Sequence, residues 1–207
     1  MQYKQQVKDK KMETIKLLTP IMNEMKKYSP LGQKELDNGA LLFGIASHVG
    51  KHAYLHSVYP ALSKHDIDLL QQRIGRDLPS CLIKLYQECN GINFFIDTFA
   101  MYGLRSKSDR NIESAYLPYD LMTPNIDERI SDASEDIVFF AFYDWDGSML
   151  YARPGDERIF FCGPESVQPK KTWSSMLEML SQEAERISNL YNLTGHEIDS
   201  SKNTLPV

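Results

Sequence analysis

The sequence has no long apolar run. No stretch approaches the roughly eighteen apolar residues that a membrane-spanning helix needs. The first residues, MQYKQQVKDKK, are polar and rich in lysine, and they lack the apolar segment of a secretory signal. We therefore expect a cytoplasmic protein that does not associate with membranes.

Cysteine is scarce. The sequence contains three cysteines, Cys81, Cys89 and Cys162, an odd number that does not suit a disulfide framework. Each lies within an apolar pattern, where a reduced thiol behaves as a small packing residue. We expect all three to be reduced and buried.

The motifs of common enzymes are also missing. The sequence contains no GxSxG elbow, no phosphate-binding loop and no dinucleotide-binding glycine pattern. Its cysteines lack a neighbouring base, and its acidic residues lie mostly in polar segments, whereas hydrolysis needs two carboxylates held in a cleft. We expect no enzymatic activity and no metal or other cofactor.

Charge is unevenly distributed along the chain. The net charge is −5. Residues 1–34 hold eight lysines against three acids, a local charge of +5. Residues 109–157 hold twelve acids against three arginines, a local charge of −9. An acidic surface repels nucleic acid and attracts basic proteins, so we expect a protein partner and no direct nucleic-acid binding.

Helix and strand patterns alternate in residues 66–103. Apolar residues recur at helical spacing in DIDLLQQRI and stop at Gly75. A second helix opens at Leu78-Pro79 and ends at Asn90-Gly91, where glycine suits the left-handed conformation of a helix end. The run from Phe94 to Leu104 is rich in aromatic and β-branched residues, which predicts a strand ending in a turn.

A three-stranded meander is predicted further along the chain. Its strands are Ile137–Phe142, Ser148–Ala152 and Arg158–Cys162. The first two are joined by Asp144-Trp145-Asp146-Gly147, and Asp-Gly is a strong hairpin signal. An amphipathic helix then begins near Trp173, with Thr172 as its N-cap.

The order helix, Leu-Pro, helix, Asn-Gly, strand and Tyr-Gly resembles the SUKH superfamily, the Smi/Knr-like domains. The acidic hairpin and the closing helix extend the resemblance, which covers roughly residues 64–191. It implies an α+β fold, with an antiparallel β-meander sheet packed against N-terminal and C-terminal helices. We divide the chain into a helical N-terminal extension (1–60), a SUKH domain (61–195) and a polar tail (196–207) that we expect to be frayed.

Two helices are predicted in the extension. The first covers residues 4–27, with Pro20 expected to kink or split it. The second covers Ala40–Tyr59 and carries His48, His52 and His56 at four-residue spacing, so on an unbroken helix they would line one side. Gly50 weakens such a helix and no carboxylate completes the set, so we expect no metal site there.

The resemblance implies binding rather than catalysis. Bacterial members of the superfamily are widely seen as immunity proteins that neutralise partner toxins, often nucleases. Our first hypothesis is therefore a non-enzymatic intracellular immunity protein that binds a basic toxin domain of a polymorphic or contact-dependent system. The alternative is a regulatory adaptor or scaffold of the Smi/Knr type whose partner is not a toxin.

Charge and exposure indicate candidate partner-binding residues. We expect the acids Glu135, Asp136, Asp144 and Asp146 to contact the partner, with Trp145 as an aromatic anchor. Trp145 has a second interpretation, because aromatic residues also fold back onto their own hairpins and form cross-strand pairs. The sequence leaves both interpretations open.

Overall fold

One antiparallel sheet organises the chain. The computed structural model describes residues 16–105 and 116–207. Within them, nine strands pair in chain order, each with its neighbour. They are Gln33–Glu35 (β1), Leu41–Ile45 (β2), Tyr54–Val58 (β3), Ile92–Phe94 (β4), Phe99–Met101 (β5), Val138–Phe142 (β6), Met149–Ala152 (β7), Ile159–Cys162 (β8) and Pro169–Trp173 (β9).

Four α-helices accompany the sheet. They are Thr19–Lys26 (α1), Lys64–Ile74 (α2), Ser80–Tyr86 (α3) and Met176–Ser188 (α4), with a 3-10 turn at Ser29–Leu31 and a π-helical turn at Thr123–Asp127. The α+β class and the antiparallel sheet predicted from the sequence are confirmed. No helix in the described parts of the chain is both long and apolar enough to cross a membrane.

Helix α2 follows its local sequence signals. Ser63 and Asp66 form a capping box, in which the Ser63 side chain accepts the Asp66 amide hydrogen and the Asp66 carboxylate accepts from Ser63. Gly75 ends the helix in the left-handed conformation at φ 68°. The helix predicted to stop at Gly75 is confirmed.

The predicted helix at Ala40–Tyr59 is wrong. This segment forms β2 and β3, which pair with each other. Gly44 lies at φ 72° in β2, a left-handed conformation that a helix interior does not use. Strand β3 also pairs with β4 across residue 60. The domain boundary at residue 60 therefore stays a prediction. The sheet contains paired strands from both sides of that boundary.

The predicted helix 4–27 lies partly outside the described residues, which begin at residue 16. Within the described residues, α1 begins at Thr19 and ends at Lys26. Pro20 lies in the first turn of α1, where its missing amide hydrogen costs no helical bond, so it starts the helix and does not kink it. Ile21 and Met25 are buried.

The last helix begins later than predicted. Thr172 and Trp173 belong to β9, and Ser175 caps α4 by accepting the amide hydrogen of Glu178. The expectation of a frayed tail is also wrong. The Ile198 amide donates to the Leu190 carbonyl, and Leu205 packs into the main core.

The sheet buries apolar side chains on both faces. The larger core lies between the sheet and the helices, and its members include Phe140, Leu150 and Phe161. Their sequence neighbours Phe139 and Tyr151 belong to a second, smaller core on the opposite side of β6 to β8. This alternation is what a strand covered on both faces requires.

Asn125 ties the π-helical turn to β6. Its side chain is fully buried, and its amide donates to the carbonyls of Leu121 (2.9 Å) and Phe139 (2.8 Å). Its oxygen accepts the Phe139 amide hydrogen at 3.0 Å. Part of the acidic connection is thereby fixed to the sheet, while residues 106–115 of it lie outside the described residues.

A hydrogen bond from Tyr143 joins the end of β6 to an ion pair within α4. The Glu183 carboxylate is fully buried, accepts the Tyr143 hydroxyl at 2.7 Å and pairs with the Arg186 guanidinium at 2.5 Å. Arg186 also lies 5.8 Å from the centre of the Tyr143 ring. These contacts fix the residue that directly precedes the β6–β7 turn.

Candidate functional site

Strand β6 separates the predicted partner-binding residues into two groups. Glu135 and Asp136 precede Val138–Phe142, whereas Asp144, Trp145 and Asp146 follow it. A five-residue strand is about 17 Å long. The structure therefore brings the predicted residues together at two separate ends of the sheet rather than at one site.

Arginines surround the first group. The Arg76 guanidinium donates to the carbonyl oxygen of Glu135 at 3.3 Å, and the Arg153 guanidinium lies 3.8 Å from the carboxylate of Asp136. Arg129 lies within electrostatic range of both carboxylates. The negative charge at this end is largely compensated, so it gives a basic partner little to attract it.

The second group forms the predicted hairpin turn. The Tyr143 amide donates to the Ser148 carbonyl, and Gly147 takes the left-handed conformation at φ 76°. Asp146 accepts the Ser148 amide hydrogen at 2.8 Å and so serves the turn itself. Asp144 makes no hydrogen bond or ion pair with any described residue. The hairpin prediction is confirmed.

Trp145 stands out from this turn. Its exposed fraction is 47%, and it makes no ring or cation–π contact with another described residue. The role of Trp145 as an anchor for a partner stays a prediction. An exposed indole of this kind is available to a partner.

A cleft of about 410 Å³ lies beside this turn. Asp144 contributes one wall, and the β4–β5 turn at residues 95–98 contributes another. The remainder comes from residues 48–49, before β3, and from residues 191–197, after α4. Four segments that are distant in the sequence thus meet at one end of the sheet.

The β4–β5 turn is conformationally unusual. Phe95 and Ile96 both adopt left-handed conformations, with φ values of 49° and 54°. Such conformations are costly for residues with a branched or bulky side chain, of order 1 kcal/mol or more each. The Phe95 amide donates to His56 Nδ1 at 3.1 Å and the Ile96 amide to the Leu55 carbonyl at 2.7 Å. Strand β3 therefore holds the turn in place.

The histidines of this region have different roles. His56 is fully buried in β3, and burial lowers its pKa to about 3. His48 lines the cleft and stacks on His196 with ring centres 3.9 Å apart, while the His52 carbonyl accepts the Tyr116 hydroxyl. The helical face considered for the three histidines is wrong. In residues 16–105 and 116–207, no group of three or more potential ligands is placed to hold a metal ion.

Asp97 is held in place at the cleft wall. Its two carboxylate oxygens accept from the Asn93 amide (2.8 Å) and the Tyr119 hydroxyl (2.7 Å). Burial raises the pKa of Asp97, the Tyr119 bond acts against this, and the negative charge of Asp144 raises it further. Asp97 and Asp144 are thus close enough to influence each other.

Aromatic rings contribute to the lining of the cleft. The rings of Phe95 and Tyr191 stack with centres 4.0 Å apart and an angle of 10° between their planes. The Tyr191 hydroxyl lies 2.5 Å from Thr98 Oγ1 and donates to Glu197 at 3.2 Å. Burial raises the pKa of Tyr191 to about 12, so its hydroxyl keeps its proton at neutral pH.

Exposed apolar side chains occur on the segments that line the same cleft. Val49 lines it and has an exposed fraction of 53%. Trp145, Leu193 and Ile198 each lie within two residues of a lining residue, and their exposed fractions are 47%, 78% and 66%. Contiguous patches of exposed apolar side chains often mark interaction surfaces, whereas single exposed apolar side chains are common on any protein.

Of the five predicted partner-binding residues, Asp144 lines this cleft, and Trp145 and Asp146 follow it in the same turn. The sequence did not indicate Asp97, Tyr191 or Glu197. Asp97 stood inside a predicted strand, and Glu197 in a tail that we expected to be frayed. The pattern gave no sign that α4 returns the chain to the β4–β5 turn.

The comparison with known protein families identifies the domain. No curated protein matches the sequence significantly. The family model described as SMI1 / KNR4 family (SUKH-1) matches residues 61–182, which is more than half of the chain. This range runs from the start of the α2 segment into α4. The chain therefore belongs to the SMI1 / KNR4 family (SUKH-1).

Proposed function

We propose that this protein is a non-enzymatic, intracellular immunity protein that binds and neutralises a cognate toxin domain. The observation that carries the proposal is the cleft beside the β6–β7 turn. The carboxylates of Asp97, Asp144 and Glu197 and the exposed apolar side chain of Val49 line it together, and protein interfaces combine acidic and apolar groups in this way.

The charge of the cleft favours a basic partner. Asp97, Asp144 and Glu197 line it, and among the described residues no lysine or arginine does so. A nuclease domain carries positive charge to hold phosphates, so an acidic cleft complements it and accelerates association at low salt. The same charge disfavours direct nucleic-acid binding.

The buried cysteines support a role in binding rather than catalysis. All three are free and buried, and burial raises the pKa of Cys81 to about 11 and those of Cys89 and Cys162 to about 12. A thiol needs to ionise near neutral pH to act as a nucleophile. These cysteines serve as packing residues.

The adaptor alternative has less support. Binding through the apolar face of the N-terminal helix would favour it. In α1, however, Ile21 and Met25 are buried in the main core, and α1 packs against α4. That face is occupied within the chain itself.

The test is capture of partners from lysate of the native host at low and high salt, followed by mass spectrometry. We expect the basic C-terminal domain of a secreted polypeptide to be recovered at low salt and lost at high salt. The double variant Asp144→Lys/Asp146→Lys should lose it, and the isolated toxin domain should be inhibited by the wild-type protein only.

The matched control is Asp68→Lys, because Asp68 is exposed on α2 and has no contact with the cleft. This substitution also replaces a negative charge by a positive one, but outside the cleft. The variant should therefore still bind the partner. Recovery of housekeeping proteins alone, or failure to inhibit the supplied toxin domain, would refute the immunity role and favour an adaptor.

A further inference from the structure

The cleft is large enough for one long side chain and has two chemically different parts. Its lining includes the ring of Tyr191, which is partly exposed and stacks on the buried ring of Phe95. Its walls carry the carboxylates of Asp97, Asp144 and Glu197. A planar, positively charged group satisfies both parts at once, since it stacks on a ring and donates from its edge to carboxylates.

We infer that the cleft receives an arginine side chain of the bound partner, and that Asp144 is the carboxylate that pairs with it. The inference rests on the proposed function, because it names the group by which the partner enters the site. The exposed apolar side chains around the cleft then contact the residues that flank this arginine.

Asp144 is assigned this role because the other two carboxylates are occupied. Asp97 accepts from Asn93 and Tyr119, and Glu197 accepts from Tyr191. Asp144 has no partner among the described residues, yet its charge reaches Asp97, Tyr119 and Tyr191. It is therefore an available acceptor at the centre of the site.

Arginine fits this site better than lysine. A guanidinium is planar and weakly hydrated, presents several donors in a fixed fork, and stacks on aromatic rings. An ammonium is a strongly hydrated point charge and loses more on leaving water. The mixed aromatic and carboxylate lining therefore selects the guanidinium.

The test uses three small probes, N-acetyl-arginine amide, N-acetyl-lysine amide and the neutral isostere N-acetyl-citrulline amide. Each is titrated into the full chain while NMR follows the backbone amides of residues 95–98 and 144. We expect saturable shifts at these amides with the arginine probe and binding about fivefold or more weaker with the lysine probe. The citrulline probe should give no saturable shift.

Two variants complete the test. Asp144→Asn removes the charge at an exposed turn position and should weaken binding of the arginine probe about fivefold or more. Asp68→Asn should leave binding of this probe unchanged. Equal binding of arginine and lysine probes, unchanged binding to Asp144→Asn, or shifts centred on residues 135–136 would each overturn the inference.

The outcomes also separate this inference from the proposed function. If the toxin domain binds through the acidic turn but the arginine probe does not enter the cleft, the immunity role stands and the arginine assignment is wrong. If the arginine probe binds as expected but the captured toxin domain is not neutralised, the immunity role is wrong and the cleft remains an arginine-binding site.

Discussion

Acid should destabilise this protein through His56, and the size of the effect follows from its surroundings. The imidazole is fully buried in β3, among the rings of Tyr28, Phe94 and Phe95. Its Nδ1 accepts the Phe95 amide hydrogen, and its Nε2 has no partner among the described residues. A proton on Nδ1 would remove that bond and place an unpaired charge in the core.

The direction in which pH changes the free energy of unfolding follows from the lowered pKa of His56. Burial lowers the pKa of His56 from 6.5 to about 3 in the folded state, so only the unfolded chain takes up this proton as the pH falls below 6.5. The stabilisation is complete above pH 6.5 and decreases toward pH 3. From about pH 7 to about pH 5, His56 alone should remove about 2 kcal/mol from the free energy of unfolding.

The assay is urea unfolding of the wild type and His56→Asn across this pH range. Asparagine does not titrate, and its side-chain oxygen can accept the Phe95 amide hydrogen in place of Nδ1. Other titrating groups are the same in both proteins, so subtracting the two curves isolates His56. We expect the wild type to lose about 2 kcal/mol relative to the variant on going to about pH 5. A difference that stays constant with pH would refute the reasoning.

Substitutions at three further positions test features of the fold. Asn125→Ala leaves buried backbone groups of Phe139 without partners, so urea unfolding should show a loss of about 3 kcal/mol; unchanged stability would contradict the contact to β6. Glu183→Ala leaves the charge of Arg186 without its buried partner and should cost about 4 kcal/mol, whereas Glu183→Gln should cost less in the same assay. Gly91→Ala places a Cβ 2.5 Å from a backbone oxygen of β5 at φ 95°, so thermal melting should show a loss of about 2 kcal/mol or more, and a melting curve like that of the wild type would argue against the close approach.

Local signals account for the parts of the fold that could be predicted. Gly75 ended α2, and the Asp-Gly turn before Ser148 joined β6 to β7, because both depend on the conformations of a few consecutive residues. The continuous apolar run of Ile137–Phe142 is typical of a strand covered on both faces, and β6 does contribute side chains to both cores.

Longer-range pairing accounts for the errors. The apolar residues of Ala40–Tyr59 suit a buried helix or a pair of strands, and the choice depends on β4, more than thirty residues further along the chain. The cleft could not be predicted from the sequence either. Asp97 and Glu197 meet only because α4 returns past the β4–β5 turn, and no local pattern records that return.

The strand order has a consequence for how the chain folds. Every strand pairs with its neighbour in the chain, so the sheet can grow in the order of synthesis. Helix α1 packs against α4, and the Tyr28 hydroxyl, which follows α1, donates to the Asn192 carbonyl, which follows α4, at 3.3 Å. These contacts join segments that are far apart in the chain. Until α4 has left the ribosome, the apolar residues of α1 that it covers stay open to solvent. A chain that stalls before α4 would therefore carry the described strands of the sheet next to an uncovered apolar face of α1. It would depend on chaperones to cover that face until α4 is synthesised.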